Sequence, residues 1–202
     1  MFWPQLQASL SSFAQTFAAI PEERKAVLAE IANYLRSKAQ QRAALIFICT
    51  HNSRRSQLAQ VWAQAAAAYY GVEGVETFSG GTEVTAFYPQ AVKALERAGF
   101  VVEQANASES GKFLLQMGKA WPAITAFSKR YSDPTNPKRD FCAVMTCSQA
   151  DGACPVISGA SARIALPYED PKVADGTPVE AATYDERSRE IGRDLCYAFS
   201  LV

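Results

Sequence analysis

The octapeptide Cys49-Thr50-His51-Asn52-Ser53-Arg54-Arg55-Ser56 sets a cysteine six positions before Arg55. An apolar run, Ala43 to Ile48, precedes it and an amphipathic stretch beginning at Gln57 follows. Strand, tight loop and helix in that order make an oxyanion trap. Loop amides and the positive helix end face a bound anion, and a guanidinium grips two of its oxygens. The same field favours thiolate over thiol, and cysteine attacks only as thiolate. The plain alternative is that Cys49 is a small apolar residue closing a strand. The context favours chemistry: Ser56 is positioned to donate a hydrogen bond to the sulfur, and Asn52 to bond across the loop and hold a strained backbone. Thr50, His51, Ser53 and Arg54 complete the cradle, with Arg54 expected to be exposed and solvated.

Two further features can reach this loop if the strands are parallel, because their carboxyl ends then share one edge. Asp170, before Pro171, can protonate a leaving oxygen, with Glu169 as its rival. Asp-Pro by itself marks a turn. Cys147 and Cys154 are separated by six residues, wider than zinc-knuckle spacing, and no histidine is near. Two thiols on a glycine-containing loop suit disulfide exchange, the alternative being two unrelated buried thiols. Cys142, inside an apolar strand, and Cys196, on the last helix, read as structural.

The elements that must position these residues follow the α/β pattern. Leu58, Val61, Trp62, Ala65 and Tyr69 form a helical stripe ending near Gly71. Val75 to Ser79 reads as a strand stopped by Gly80-Gly81, and Pro89 to Ala98 as a helix stopped by Gly99. Phe141 to Thr146 and Ala162 to Leu166 are the next strands, and Val179 to Val202 the last helix, with Ile191, Leu195, Ala198, Phe199 and Val202 inward. Alternation of strand and helix implies a parallel sheet. Gly111 to Asp140, irregular and holding Pro122, Pro134 and Pro137, reads as an insertion with a short hairpin around Ile124 to Phe127. Before the first strand, Leu6, Leu10, Phe13 and Phe17 suggest a short helix. Pro21-Glu22-Glu23 opens a second, carrying Val27, Ile31, Tyr34 and Leu35. Residues 1–42 are therefore a helical extension too poor in apolar side chains to close a core alone, and residues 43–202 the α/β domain.

Composition bounds the function. The 202 residues are 49% hydrophobic, and 20 basic side chains balance 20 acidic ones, which argues against nucleic acid or an anionic membrane as partner. Neither a membrane-spanning run nor a secretory leader is apparent, and five cysteines, an odd number, point to a reducing, cytoplasmic setting.

Cys49 to Ser56 with its following helix, Ser79-Gly80-Gly81-Thr82, Cys147 to Pro155 and Asp170-Pro171 together resemble the low-molecular-weight protein tyrosine phosphatase superfamily. Within it they are most similar to the thioredoxin-coupled arsenate reductases. The resemblance covers residues 43–108 and 141–202. It implies a flavodoxin-like four-stranded parallel sheet with helices on both faces. It also implies that Cys49 is the nucleophile, Arg55 binds the oxyanion, Ser56 and Asn52 shape the loop, and Asp170 is the general acid. In the reductase, Cys147 and then Cys154 carry a disulfide from Cys49 to a thioredoxin-like partner. In the phosphatase, water hydrolyses a phosphocysteine. A small oxyanion or phosphate ester is the implied substrate, with no cofactor and no metal. The reductase reading is preferred because reducing arsenate takes two electrons and hence spare thiols. Lys172-Val173-Ala174 also lacks the aromatic residues that line a phosphotyrosine cleft. A module that binds phosphorylated ligands without turnover, or a nucleotide-binding flavodoxin-like domain, are the other classes. The loop departs from the family at His51, usually glycine, and Arg54, usually cysteine. Gln60 stands where a glutamate tied to a potassium ion is common in the reductases.

Overall fold

The computed structural model of the chain describes residues 1–39, 41–105, 111–153 and 156–202. At its centre is a four-stranded, wholly parallel sheet. Strand β1 (Ala43–Cys49) lies between β2 (Val75–Gly81) and β6 (Phe141–Met145), and β7 (Ala160–Ala165) pairs with the outer side of β6. Every residue of β1 is buried, as expected of a central strand covered on both faces. The helices linking these strands are α3 (Arg55–Tyr70) and α4 (Pro89–Ala98), with the short α5 (Ser148–Ala153) after β6 and the long α6 (Glu180–Ser200) closing the domain. Trp62 of α3 and Tyr184, Ile191, Leu195 and Phe199 of α6 fill the core on one face of the sheet.

The N-terminal helices belong to that same core. Helix α1 (Pro4–Phe13) opens on proline, whose missing N–H costs nothing in a first turn. Helix α2 (Glu22–Ser37) follows Pro21, with Glu22 and Glu23 at its positive end and Arg36 at its negative end. Leu6, Leu10, Leu28 and Ile31 are fully buried against the domain. Helix α4 ends on Gly99 at φ 108°, where a side chain would strike the α1 backbone at Leu6. Glycine therefore both turns the chain and admits α1.

Three expectations need correction. Strand β2 does not stop before its glycines but runs through Gly80 and Gly81, which pair with Ile48 and Cys49. The segment read as irregular is more ordered than expected. Strands β3 (Val101–Gln104), β4 (Phe113–Gln116) and β5 (Ile124–Ala126) form a separate antiparallel sheet, so the insertion pairs with residues ahead of it. Short strands of mixed burial carry no clean alternation, which is why the pattern hid them. Helix α6 ends at Ser200, leaving Val202 exposed instead of inward. In α2, Ile31, Tyr34 and Leu35 are buried and Val27 packs against the core as expected, with Leu28 joining them fully buried. No helix among the described residues is long and apolar enough to cross a membrane.

Candidate active site

Strand β1 delivers Cys49 to the carboxyl edge of the sheet. Helix α3 starts six residues later, so its first-turn amides, which have no partner within the helix, lie beside the loop. The turn is sharp: Asn52 is left-handed at φ 47°, one of the few conformations that asparagine tolerates better than other side chains. Asn52 is completely buried and holds its strained backbone with three bonds. Its amide donates to Ser56 Oγ at 2.8 Å, and its Oδ1 accepts from the Lys129 backbone N–H at 2.9 Å and Gln57 Nε2 at 3.3 Å. Because an amide nitrogen can only donate, the Ser56 oxygen is the acceptor of that bond. Its hydroxyl hydrogen is left for the Cys49 sulfur, 3.0 Å away.

Arg55 turns back over the loop edge. One terminal nitrogen donates to Asp170 Oδ2 at 2.6 Å and the other to the Tyr168 carbonyl at 3.0 Å, while its buried Nε has no partner. The other oxygen of Asp170 accepts from the Lys172 amide and caps the turn over Pro171–Ala174. Asp170 and Arg55, distant in sequence, thus face each other. The rival Glu169 points to solvent.

Arg54 is not the solvated residue expected. Only 12% of its side chain is exposed; it donates to Asp175 at 2.6 Å and to the Tyr184 hydroxyl at 2.5 Å, and lies 4.1 Å over the Tyr88 ring. The Tyr184 hydroxyl donates in turn to Asp175, and its ring stacks on Tyr88. Burial and the bond to the Asp175 carboxylate push the Tyr184 phenol far above its ordinary range. Arg54 and Arg55 therefore fasten opposite ends of one segment, 170–175, to the anion loop. His51, by contrast, faces outward to Glu83 at 3.4 Å, while its carbonyl accepts from Ser128 and Thr85 hydroxyls. Ser53 is buried, and its carbonyl accepts from the Tyr88 amide.

Cys147 lies in the bend between β6 and α5, two residues past the strand, and is fully buried. Its sulfur lies 3.5 Å from the hydroxyl of Thr50, the residue after Cys49, and accepts from the Ala150 amide at 3.3 Å. Cys49, Met145 and Cys147 share one apolar cluster on the second face of the sheet. Cys154 lies outside the described residues. Cys142 and Cys196 are buried free thiols; burial pushes Cys142 up to about 12 and Cys196 higher still, as suits inert packing. Among the described residues no group of three His, Cys, Asp or Glu side chains is gathered to hold a metal.

Sequence reasoning missed what locks the loop from outside. The chain after β5 lies alongside β2: Gly81 donates to the Lys129 carbonyl and accepts from the Tyr131 amide. A side chain at Gly80 would collide with the Tyr131 backbone, and one at Gly81 would sit 2.7 Å from the Thr50 carbonyl. Ser79 and Gln57 add a buried bond between β2 and α3. The adjacent glycines were the available signal, since paired glycines at a strand end mark close backbone approach. Nothing in the sequence named Lys129, Tyr88, Asp175 or Tyr184 as the approaching partners.

Residues 44–118 match the family model described as low molecular weight phosphotyrosine protein phosphatase. An arsenate reductase of Halalkalibacterium halodurans is 29% identical over 152 residues, covering 75% of this chain and 91% of that protein. One of Bacillus subtilis is 28% identical over the same shares. In fold, the chain is similar to a low-molecular-weight phosphotyrosine phosphatase of Vibrio cholerae, with a TM-score of 0.50, 12% identity, and coverage of 77% of this chain and 93% of that one. Residues 44–118 thus match the low molecular weight phosphotyrosine protein phosphatase family, the chain over three quarters of its length is similar to arsenate reductases, and its fold is that of the phosphatase structure.

Proposed function

We propose that this enzyme reduces arsenate to arsenite by a thiol–disulfide relay through Cys49, Cys147 and Cys154. The observation that carries the reading is the fully buried Cys147, its sulfur beside Thr50 in the same apolar patch as Cys49. Ester hydrolysis needs no such thiol. Arsenate enters the loop and takes over the Arg55 guanidinium from Asp170. The Cys49 sulfur attacks arsenic, an oxygen departs as water, and Asp170, released from the arginine, supplies the proton. Cys147 then attacks the Cys49 sulfur. The S–As bond breaks with its electron pair going to arsenic, which leaves as arsenite, and a Cys49–Cys147 disulfide remains. Cys154 displaces Cys49 from it, and a thioredoxin-like dithiol reduces the resulting Cys147–Cys154 bond. The three-thiol arrangement moves the disulfide from a buried loop to a place where a protein reductant can meet it.

Phosphate monoester hydrolysis is the second reading, favoured by the Cys49–Ser56 and Arg55–Asp170 pairs, which suffice for it. The two are separated by arsenate-dependent NADPH oxidation with thioredoxin and its reductase, run beside aryl phosphate hydrolysis. Cys147→Ala is expected to remove arsenate reduction and spare ester hydrolysis. Ester turnover without any arsenate turnover in the parent enzyme would overturn the reductase reading.

A further inference from the structure

Behind the anion loop, between the antiparallel sheet and the α3–β2 layer, lies a cleft of about 550 Å³. Lys129, 4% exposed, lines it, with Nζ 4.2 Å over the Phe127 ring. No carboxylate among the described residues forms an ion pair with that ammonium. Gln60, equally buried, lines the same space, and its Oε1 has no hydrogen-bond partner. A buried amide oxygen without a partner is costly, and both groups are of the kind that a ligand satisfies.

The surroundings define what would do so. Lys112 also lines the cleft, 5.2 Å over the Phe127 ring. Of the nearby carboxylates, Glu76 pairs with Arg42, while Asp133 is bonded to the hydroxyl and amide of Thr135 and acts on Lys129 through space, without an ion-pair contact. Trp121, Ile124 and Met117 supply apolar walls. An inorganic oxyanion would leave those walls wet, and a neutral aromatic would leave the ammonium without a charged group in direct contact. We propose that this cleft binds a small aromatic carboxylate bearing a hydroxyl group. Its carboxylate meets Lys129, its ring packs against Trp121 and Phe127, and its hydroxyl donates to Gln60 Oε1. The site is separate from the anion loop but joined to it, because the Lys129 amide is the one that holds Asn52 Oδ1.

Calorimetric titration of the full chain with 4-hydroxybenzoate, phenol and inorganic phosphate tests this. 4-Hydroxybenzoate is expected to bind with a Kd at or below about 1 mM. Phenol should bind at least about tenfold more weakly, for want of the charged contact. Lys129→Met should cost a similar factor for 4-hydroxybenzoate, whereas Arg55→Met should leave its Kd unchanged. Equal binding of phenol and 4-hydroxybenzoate by the parent protein overturns the proposal without any variant. So does loss of binding that follows Arg55 instead of Lys129, or binding of phosphate alone.

Discussion

Replacing Arg54 by methionine keeps much of its volume and removes the charge, which makes it a direct measure of whether this loop residue is structural. In the fold its guanidinium is bonded to Asp175 and Tyr184 and lies over Tyr88, with 12% and 23% of the Arg54 and Asp175 side chains exposed. A hydrogen bond to a charged group is worth about 1.5–3 kcal/mol, and a partly desolvated cation–π contact about 0.5–2 kcal/mol. The contributions overlap, and the freed Asp175 keeps its bond from Tyr184, so the net cost is about 2–4 kcal/mol. For a domain of this size that is a fall in Tm of roughly 5–12 °C. Urea unfolding of R54M, Asp175→Asn and the double variant gives the cycle, with a coupling of at least about 1 kcal/mol expected. If R54M costs less than about 0.5 kcal/mol, as at an ordinary surface position, and the coupling vanishes, the arginine is solvated and the clasp on segment 170–175 is refuted.

Cys49→Ser should abolish both arsenate reduction and aryl phosphate hydrolysis; measurable turnover in either assay would falsify the nucleophile assignment. Asp170→Asn should slow hydrolysis of esters with poor leaving groups by about 10²–10⁴-fold and of activated esters far less, and a uniform loss across leaving groups would point to a binding role instead. Lys129 supplies a pH test. Burial lowers it from 10.5 to about 8, so between those values the unfolded chain holds a proton that the folded chain has lost. Stability from this group therefore rises with pH across that window, by on the order of 3 kcal/mol. Comparing urea midpoints, Lys129→Met should exceed the parent at pH 7 and lose that advantage by pH 10; parallel profiles would mean the ammonium is well solvated.

The reductase and phosphatase readings share Cys49, Arg55 and Asp170 and part company at Cys147. That residue links fold to function here, because the strand it follows, β6, is the neighbour of β1 in the sheet. Parallel pairing brings the carboxyl ends of both strands to the same edge, so a thiol ninety-eight positions away in sequence comes to rest beside the anion loop.

Local chemistry was legible in the amino-acid order because it depends on neighbours along the chain. The run into Cys49, the helix after Arg55 and the proline and glycine boundaries of α1, α2 and α4 all express steric and capping preferences acting over a few residues. The shared edge of Cys49, Cys147 and Asp170 was legible for another reason: alternating strands and helices imply a parallel sheet, whose carboxyl ends lie together. What the sequence could not specify were partners chosen by close approach between distant segments. Arg54 in the row of letters is one more surface cation; only the folded chain buries it among Tyr88, Asp175 and Tyr184. The antiparallel sheet likewise depends on β3 meeting β4 across a register that its short, half-exposed strands do not advertise, and that sheet presses Lys129 against Asn52. Burial converts such side chains from solvated charges into obligate hydrogen-bonding groups, and burial is a property of the packed chain alone.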